Sequence, residues 1–192
     1  MKQKYILFPI IFLGFILLDC AGIQQDSIDN TQNVEFLIEQ GELFWQQRSN
    51  SLTLKKAEHF ISLACQQRPD QFDIAILYAQ ILYTRGLFLE KDGETQNSLF
   101  LQASQLCQDA VLNHQDFSVI YNNAQGDSTY KMLTALAEVP ISVVPGLFWW
   151  ATNLARYLNT RPVIERLNHR EILEVLMHRT LSLEPGFYYS GP

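Results

Sequence analysis

The residues best suited to bind another molecule form one aromatic and polar group, which comprises Phe148, Trp149, Trp150, Asn153, Arg156 and Tyr157. Neighbouring side chains on a helix point about 100° apart, so Trp149 and Trp150 cannot both face the same core layer. Two interpretations follow. Either the rings pack helices together, or at least one indole is partly exposed and faces a groove, a pore or another chain. In the second case, Asn153 and Arg156 could orient a carboxylate or a partner's backbone.

Sequence patterns typical of catalysis or metal binding do not occur. The chain has no glycine-rich phosphate loop, no Gly-x-Ser-x-Gly, no His-Glu-x-x-His and no Cys-x-x-Cys. Its four histidines are not at metal-ligand spacing, and two of them, His169 and His178, are nine residues apart on one predicted helix, roughly on opposite faces. We therefore predict that the protein is not an enzyme and needs no cofactor or metal.

Charge and composition narrow the class of protein further. The 192 residues carry 14 Lys and Arg against 20 Asp and Glu, a net charge of −6. This balance argues against nucleic acid as a partner, because phosphates would have to meet a basic patch. The hydrophobic content of 47% suits one domain with a real core.

The N-terminal segment predicts export. Lys2 and Lys4 precede an apolar run over residues 5–18. As a helix this run would rise only about 21 Å, less than the roughly 30 Å of a bilayer core. Residues 1–19 are therefore predicted to be a signal peptide rather than a transmembrane helix.

The end of this run, Leu17-Leu18-Asp19-Cys20, resembles the lipobox of bacterial lipoproteins. Family lipoboxes have a small residue where this chain has Asp19. The resemblance implies that Cys20 is lipidated and becomes the new N-terminus; the alternatives are cleavage elsewhere and retention as an uncleaved anchor. The polar residues 20–33 are predicted to be a flexible tether. The expected location is the periplasm, with a lipid anchor in the outer rather than the inner membrane.

The other two cysteines, Cys65 and Cys107, lie in apolar helical stripes. They could be buried thiols that act as small apolar side chains. They could also form a disulfide, which the periplasm permits. The sequence leaves both interpretations open, because pairing cannot be deduced from it.

Three segments, residues 64–72, 110–117 and 180–187, share one pattern. In each, a small residue is followed five positions on by Pro or Gln, and then by Phe within two or three residues. This pattern is typical of the end of the second helix in a tetratricopeptide-like unit, because Pro cannot continue a helix. We predict an all-α, tetratricopeptide-like superhelical stack of antiparallel helix pairs over residues 34–192.

Apolar residues at helical spacing predict where the helices of this stack lie in the sequence. The first pair covers residues 34–45 and 57–65, with a turn and cap at Asn50 and Ser51. The second comprises a helix over residues 72–89, apolar almost all round, and one entered through Asp92 and Gly93 that ends near Asn113. A short helix is predicted over residues 129–137. The third pair covers residues 146–159 and a helix that has Pro162 in its first turn and continues through Leu181.

Two passages carry a more specific resemblance: residues 41–48 with 56–60, and residues 144–157 with 183–192. Together with the leader they resemble the T component of tripartite ATP-independent periplasmic (TRAP) transporters, the TatT-like lipoproteins. The resemblance implies self-association as a trimer, docking of the substrate-binding P subunit, and a cleft that handles a hydrophobic or organic-acid ligand. Family sequences continue beyond Pro192, so we expect a C-terminal truncation. The alternative is a scaffold lipoprotein for an envelope assembly, such as outer-membrane barrel insertion or a pilus secretin.

The lipid anchor can be tested on Cys20. In a diderm host the protein should incorporate labelled palmitate and partition into detergent, and Cys20→Ser should abolish both, because acylation needs the thiol. Recovery of the wild-type protein in the aqueous phase without label would contradict the prediction.

Overall fold

The computed structural model describes the backbone of residues 22–190 and the side chains of residues 33–188. Asp19, Cys20 and the leader lie outside the described residues. All regular structure in the described part is helical, with no strand. The α-helices are α1 (Gly22–Gln46), α2 (Ser51–Gln67), α3 (Phe72–Phe88), α4 (Gly93–Asn113), α5 (Gln115–Asn123), α6 (Ser128–Glu138), α7 (Val144–Leu158), α8 (Val163–Asn168) and α9 (Arg170–Leu183). Short 3-10 helices cover Ile141–Val143 and Phe187–Ser190. The predicted all-α class is confirmed.

The helices pack mainly as neighbouring pairs. Helix α1 packs on α2, α2 on α3, and α3 on α4. Helix α7 then packs on α4, α3 and α9. The short helices α5 and α6, which lie between α4 and α7 in the chain, pack on each other, and α6 also contacts α9. The chain therefore places one additional helical segment between its second and third pairs.

Local capping explains why several helices begin where the sequence predicted. The Asn50 side chain accepts a hydrogen bond from the backbone N–H of Leu52 at 2.8 Å. The Asp92 carboxylate accepts one from the N–H of Thr95 at 2.8 Å, and the side-chain and backbone bonds from Thr95 lower the pKa of Asp92. Such side chains satisfy N–H groups that a helix N-terminus leaves unpaired.

Helix α3 is buried on two sides, as predicted from its nearly uniform apolar character. Ile74 and Ile81 belong to a core cluster with residues of α1 and α2. Ile76, Leu82 and Tyr83 belong to a larger cluster with residues of α4, α7 and α9. This helix therefore joins the first pair to the rest of the chain.

Two segments differ from the predicted helices near the ends of the described chain. Helix α1 begins at Gly22, inside the predicted tether, and neither Pro nor a second Gly interrupts it before Gly41. The helix predicted from Pro162 through Leu181 is divided at His169 into α8 and α9, because the His169 N–H bonds the carbonyl of Arg166. His169 and His178 are therefore not on one helix, as the sequence analysis had placed them.

The structure decides between the interpretations of Cys65 and Cys107. Both are free thiols, Cys65 partly and Cys107 fully buried, and they pack in different core clusters. Burial raises the pKa of each thiol, because a thiolate would lose its hydration there. Both therefore act as small apolar side chains.

Among the described residues, no single helix has the length and apolar character to cross a membrane. Ser128–Glu138 and Ile141–Leu158 meet those criteria only when taken together, and they are bent by 101° relative to each other.

Helix α7 approaches α3 and α4 closely at Gly146. A Cβ at this position would lie 2.6 Å from Cγ2 of Val111 and 2.9 Å from Cζ of Phe72, closer than atoms can pack. By contrast, a Cβ at Gly93 would meet nothing within 4 Å. The three helices can therefore pack this closely only because residue 146 is a glycine and has no Cβ.

Gly146→Ala should therefore destabilise the protein by about 1–3 kcal/mol, as overpacking of a core does. Thermal unfolding followed by circular dichroism measures the change. The matched control, Gly93→Ala, should leave the melting temperature unchanged or raise it slightly, because the methyl group has room and the unfolded chain loses freedom. Equal melting temperatures for the two variants would contradict this account of the α7 contact.

Candidate functional site

Helix α7 carries all six of the predicted binding residues, and it is enclosed on several sides. Pro145 lies in its first turn, where a missing N–H costs nothing. Eleven of its residues are buried. This follows from its neighbours, because α3, α4 and α9 all pack against it.

Trp149 and Trp150 are 2% and 3% exposed, and Phe148 is 1% exposed. The structure therefore corresponds to the packing interpretation, and the expectation of a partly exposed indole is not met. The angle between adjacent side chains does not force exposure here, because a different helix covers each side of α7. Leu154 and Leu176 are buried, as expected.

The aromatic rings of α7 pack mostly edge to face. Trp149 lies 5.3 Å from Tyr83 and 4.9 Å from Tyr188, measured between ring centroids. Phe148 lies 5.2 Å from Phe187. Tyr188 has φ 48°, in the left-handed region that a bulky residue rarely adopts. These ring contacts tie the segment Phe187–Ser190 to α7, and Trp149 links α7 to Tyr83 of α3.

Asn153 is fully buried, at 0% exposure. Its Nδ2 donates to the backbone oxygen of Trp149 at 2.8 Å. Its Oδ1 is buried and has no donor among the described residues. An unpaired buried acceptor costs about 1–3 kcal/mol, so few are retained in folded proteins.

Arg156 lies at the exposed rim of the same helix face. Its Nε donates to the hydroxyl of Tyr83 at 3.4 Å, and its guanidinium carbon is 5.9 Å from the centre of that ring. No carboxylate among the described residues forms an ion pair with it. Trp149, Asn153 and Arg156 follow each other at spacings of four and three, so they share one face of α7. We call these three residues with Tyr83 the α7 stripe.

Tyr157 is directed to a different surface. Its hydroxyl donates to Oε1 of Glu165 at 3.4 Å. The guanidinium of Arg161 lies 5.3 Å from the centre of its ring and pairs with Glu165 at 3.3 Å. The predicted group thus separates into the α7 stripe, the core rings Phe148 and Trp150, and Tyr157 beside α8.

Tyr83 is the residue that the sequence analysis missed. It lies 73 positions before Arg156, and no motif marks it. The only signal was its place on a helix predicted to be buried on more than one side.

Among the described residues no cluster of His, Cys, Asp or Glu could hold a metal ion.

Comparisons with known proteins do not assign this chain to a family. No protein-family model matches the sequence, and a search of curated proteins finds no match.

Replacing the unpaired acceptor should stabilise the protein. Asn153→Leu keeps a similar volume and removes Oδ1, so the melting temperature should rise, with a gain of about 1 kcal/mol in the free energy of unfolding. Thermal unfolding by calorimetry measures this.

The matched control is Thr180→Val, at a buried residue whose hydroxyl donates to the Leu176 oxygen at 2.9 Å. This variant removes a satisfied group, so it should lose about 0.5–1.5 kcal/mol. A loss of similar size in Asn153→Leu would show that Oδ1 is satisfied in solution.

Proposed function

We propose that this chain is a non-enzymatic, lipid-anchored periplasmic binding protein, the accessory T component of a TRAP-type transporter, which binds the substrate-binding P subunit. The observation that carries the proposal is the α7 stripe. It combines an exposed guanidinium at Arg156, which has no carboxylate partner among the described residues, with a buried, unpaired acceptor at Asn153. Among the described residues no group of His, Cys, Asp or Glu that could hold a metal ion accompanies them.

The packing of the helices supports a tetratricopeptide-like stack. The pairs α1/α2, α3/α4 and α7/α9 follow one another, and each packs on the next. Proteins built in this way expose extended surfaces that bind other proteins. In this proposal α7 belongs to the third pair and presents its stripe beside α3.

The chemistry of the stripe indicates what it binds. A guanidinium offers two parallel N–H donors to a carboxylate, and Arg156 uses only one N–H, on Tyr83. Arg156, the exposed member of the stripe, therefore suits a carboxylate, either on the P subunit or in a hydrophobic or organic-acid ligand.

Membrane attachment and trimer formation belong to the same proposal. The anchor rests on the leader and Cys20, which the resemblance to a lipobox assigns to lipidation. The trimer rests on the resemblance to the T component.

The proposal predicts that a P subunit is encoded beside this gene, and binding to that P subunit tests it. Arg156→Ala should raise the dissociation constant about tenfold or more in calorimetric titration, because it removes a charge-assisted contact. Its melting temperature should stay close to that of the wild type, since Arg156 is exposed.

Lys55→Ala is the control, because it removes one positive charge from an exposed position on α2, away from the stripe. It should bind as the wild type does. Equal binding by Arg156→Ala would place the partner surface elsewhere, and a wild-type protein that does not bind the P subunit would refute the transporter role.

A further inference from the structure

Helix α1 has an acidic and apolar outer face. Phe36 and Leu43 are 53% and 46% exposed, and they lie seven residues apart, on the same side of the helix. Glu39 lies between them and Glu42 beside them, both exposed. Neither carboxylate has an ion pair among the described residues, whereas Glu35 is bound by Arg68 at 2.8 Å. We call Phe36, Glu39, Glu42 and Leu43 the acidic face.

Helix α8 combines exposed apolar groups with one arginine, Arg166, and one glutamate, Glu165. None of its residues is buried, and Val163, Ile164 and Leu167 are 60%, 68% and 57% exposed. A helix in a globular protein normally buries one stripe of such side chains. Among the described helices, its one substantial contact is with α9.

A groove of about 370 Å³ runs between α8 and α9, and its lining residues are Val163, Arg166, Leu167, Arg170, Leu173 and Glu174. We call this the basic groove. Arg166 is exposed and has no carboxylate partner among the described residues. Arg170 pairs with Glu174 at 2.6 Å, but both side chains are more than 60% exposed, so water weakens that pair. Two arginines and one glutamate line the groove, so it combines an apolar floor with a net positive charge, which Arg166 supplies.

We propose that the acidic face of one copy binds the basic groove of a second copy, head to tail. Among the described residues the acidic face carries two carboxylates without an ion pair and the basic groove one such guanidinium, and both surfaces have exposed apolar side chains. They also lie on helices that do not pack together, since α1 contacts α2, and α8 contacts α9. Because the two surfaces differ, the contact is heterologous and can close a ring or extend a chain of copies.

This inference deepens the self-association within the proposed function and is independent of the P subunit. It assigns that self-association to named surfaces, away from Arg156. The partner in this contact is a second copy of the chain, because its α1 offers an acidic and apolar face that matches the groove.

Charge reversal tests the contact in the full chain, kept in a mild non-ionic detergent and followed by sedimentation velocity at low salt. The wild type should form species larger than one chain. Glu39→Arg and Arg166→Glu should each raise the dissociation constant at least about tenfold, because each places like charges opposite one another. A mixture of the two variants should recover association, with the two variants alternating along the assembly. In the mixture the reversed face meets the reversed groove and the unchanged face meets the unchanged groove, whereas contacts between two copies of the same variant place like charges together.

Matched controls make the same changes in charge elsewhere. Asp109→Arg and Lys91→Glu alter exposed residues outside both surfaces, so they should associate as the wild type does. A wild type that remains a single chain at about 100 µM would contradict the proposal. Charge reversals that leave the dissociation constant unchanged would also contradict the proposal, as would a mixture of the two variants that stays dissociated. If the wild type is a single chain and still binds the P subunit, the inference fails and the proposed function stands.

Discussion

Helix α7 lies against α3 and α4 with no room for a methyl group at Gly146, since a Cβ there would overlap Val111 and Phe72. This close approach is the constraint on which the larger core depends. It brings Trp149 against Tyr83, and it lets α9 cover the remaining side of α7. The second and third helix pairs are thereby joined directly, and the short helices α5 and α6 are left to pack around them.

The close packing of α7 also limits which of its side chains can contact a partner. Its aromatic rings are buried, so they hold helices together and present no surface to a partner. What remains exposed is polar: the guanidinium of Arg156 at the rim, whereas the unpaired Oδ1 of Asn153 is buried on the same face of the helix. A buried acceptor without a donor lowers stability, and proteins commonly accept such a cost where function requires it. The proposed binding role is the reason we give for retaining Asn153.

How far the sequence could predict this structure depends on the range of the interactions involved. The helix starts at Asn50 and Asp92 were predictable, because each cap is a bond to a residue two or three positions on. The burial of Trp149 and Trp150 was not, since it depends on three helices that come together around α7. Tyr83 was missed because it reaches Arg156 across 73 positions. The break at His169 was missed because no Pro or Gly marks it.

The central claim is that α7 is a core helix whose two indoles are both shielded from solvent. Acrylamide quenching of tryptophan fluorescence tests it directly in a Trp45→Phe variant, which removes the half-buried indole of α1. In the native protein we expect both remaining indoles to be strongly protected, and denaturant to remove that protection in one cooperative step. If a substantial part of the native emission were quenched as readily as in the unfolded chain, an indole of α7 would face solvent. That result would contradict the account.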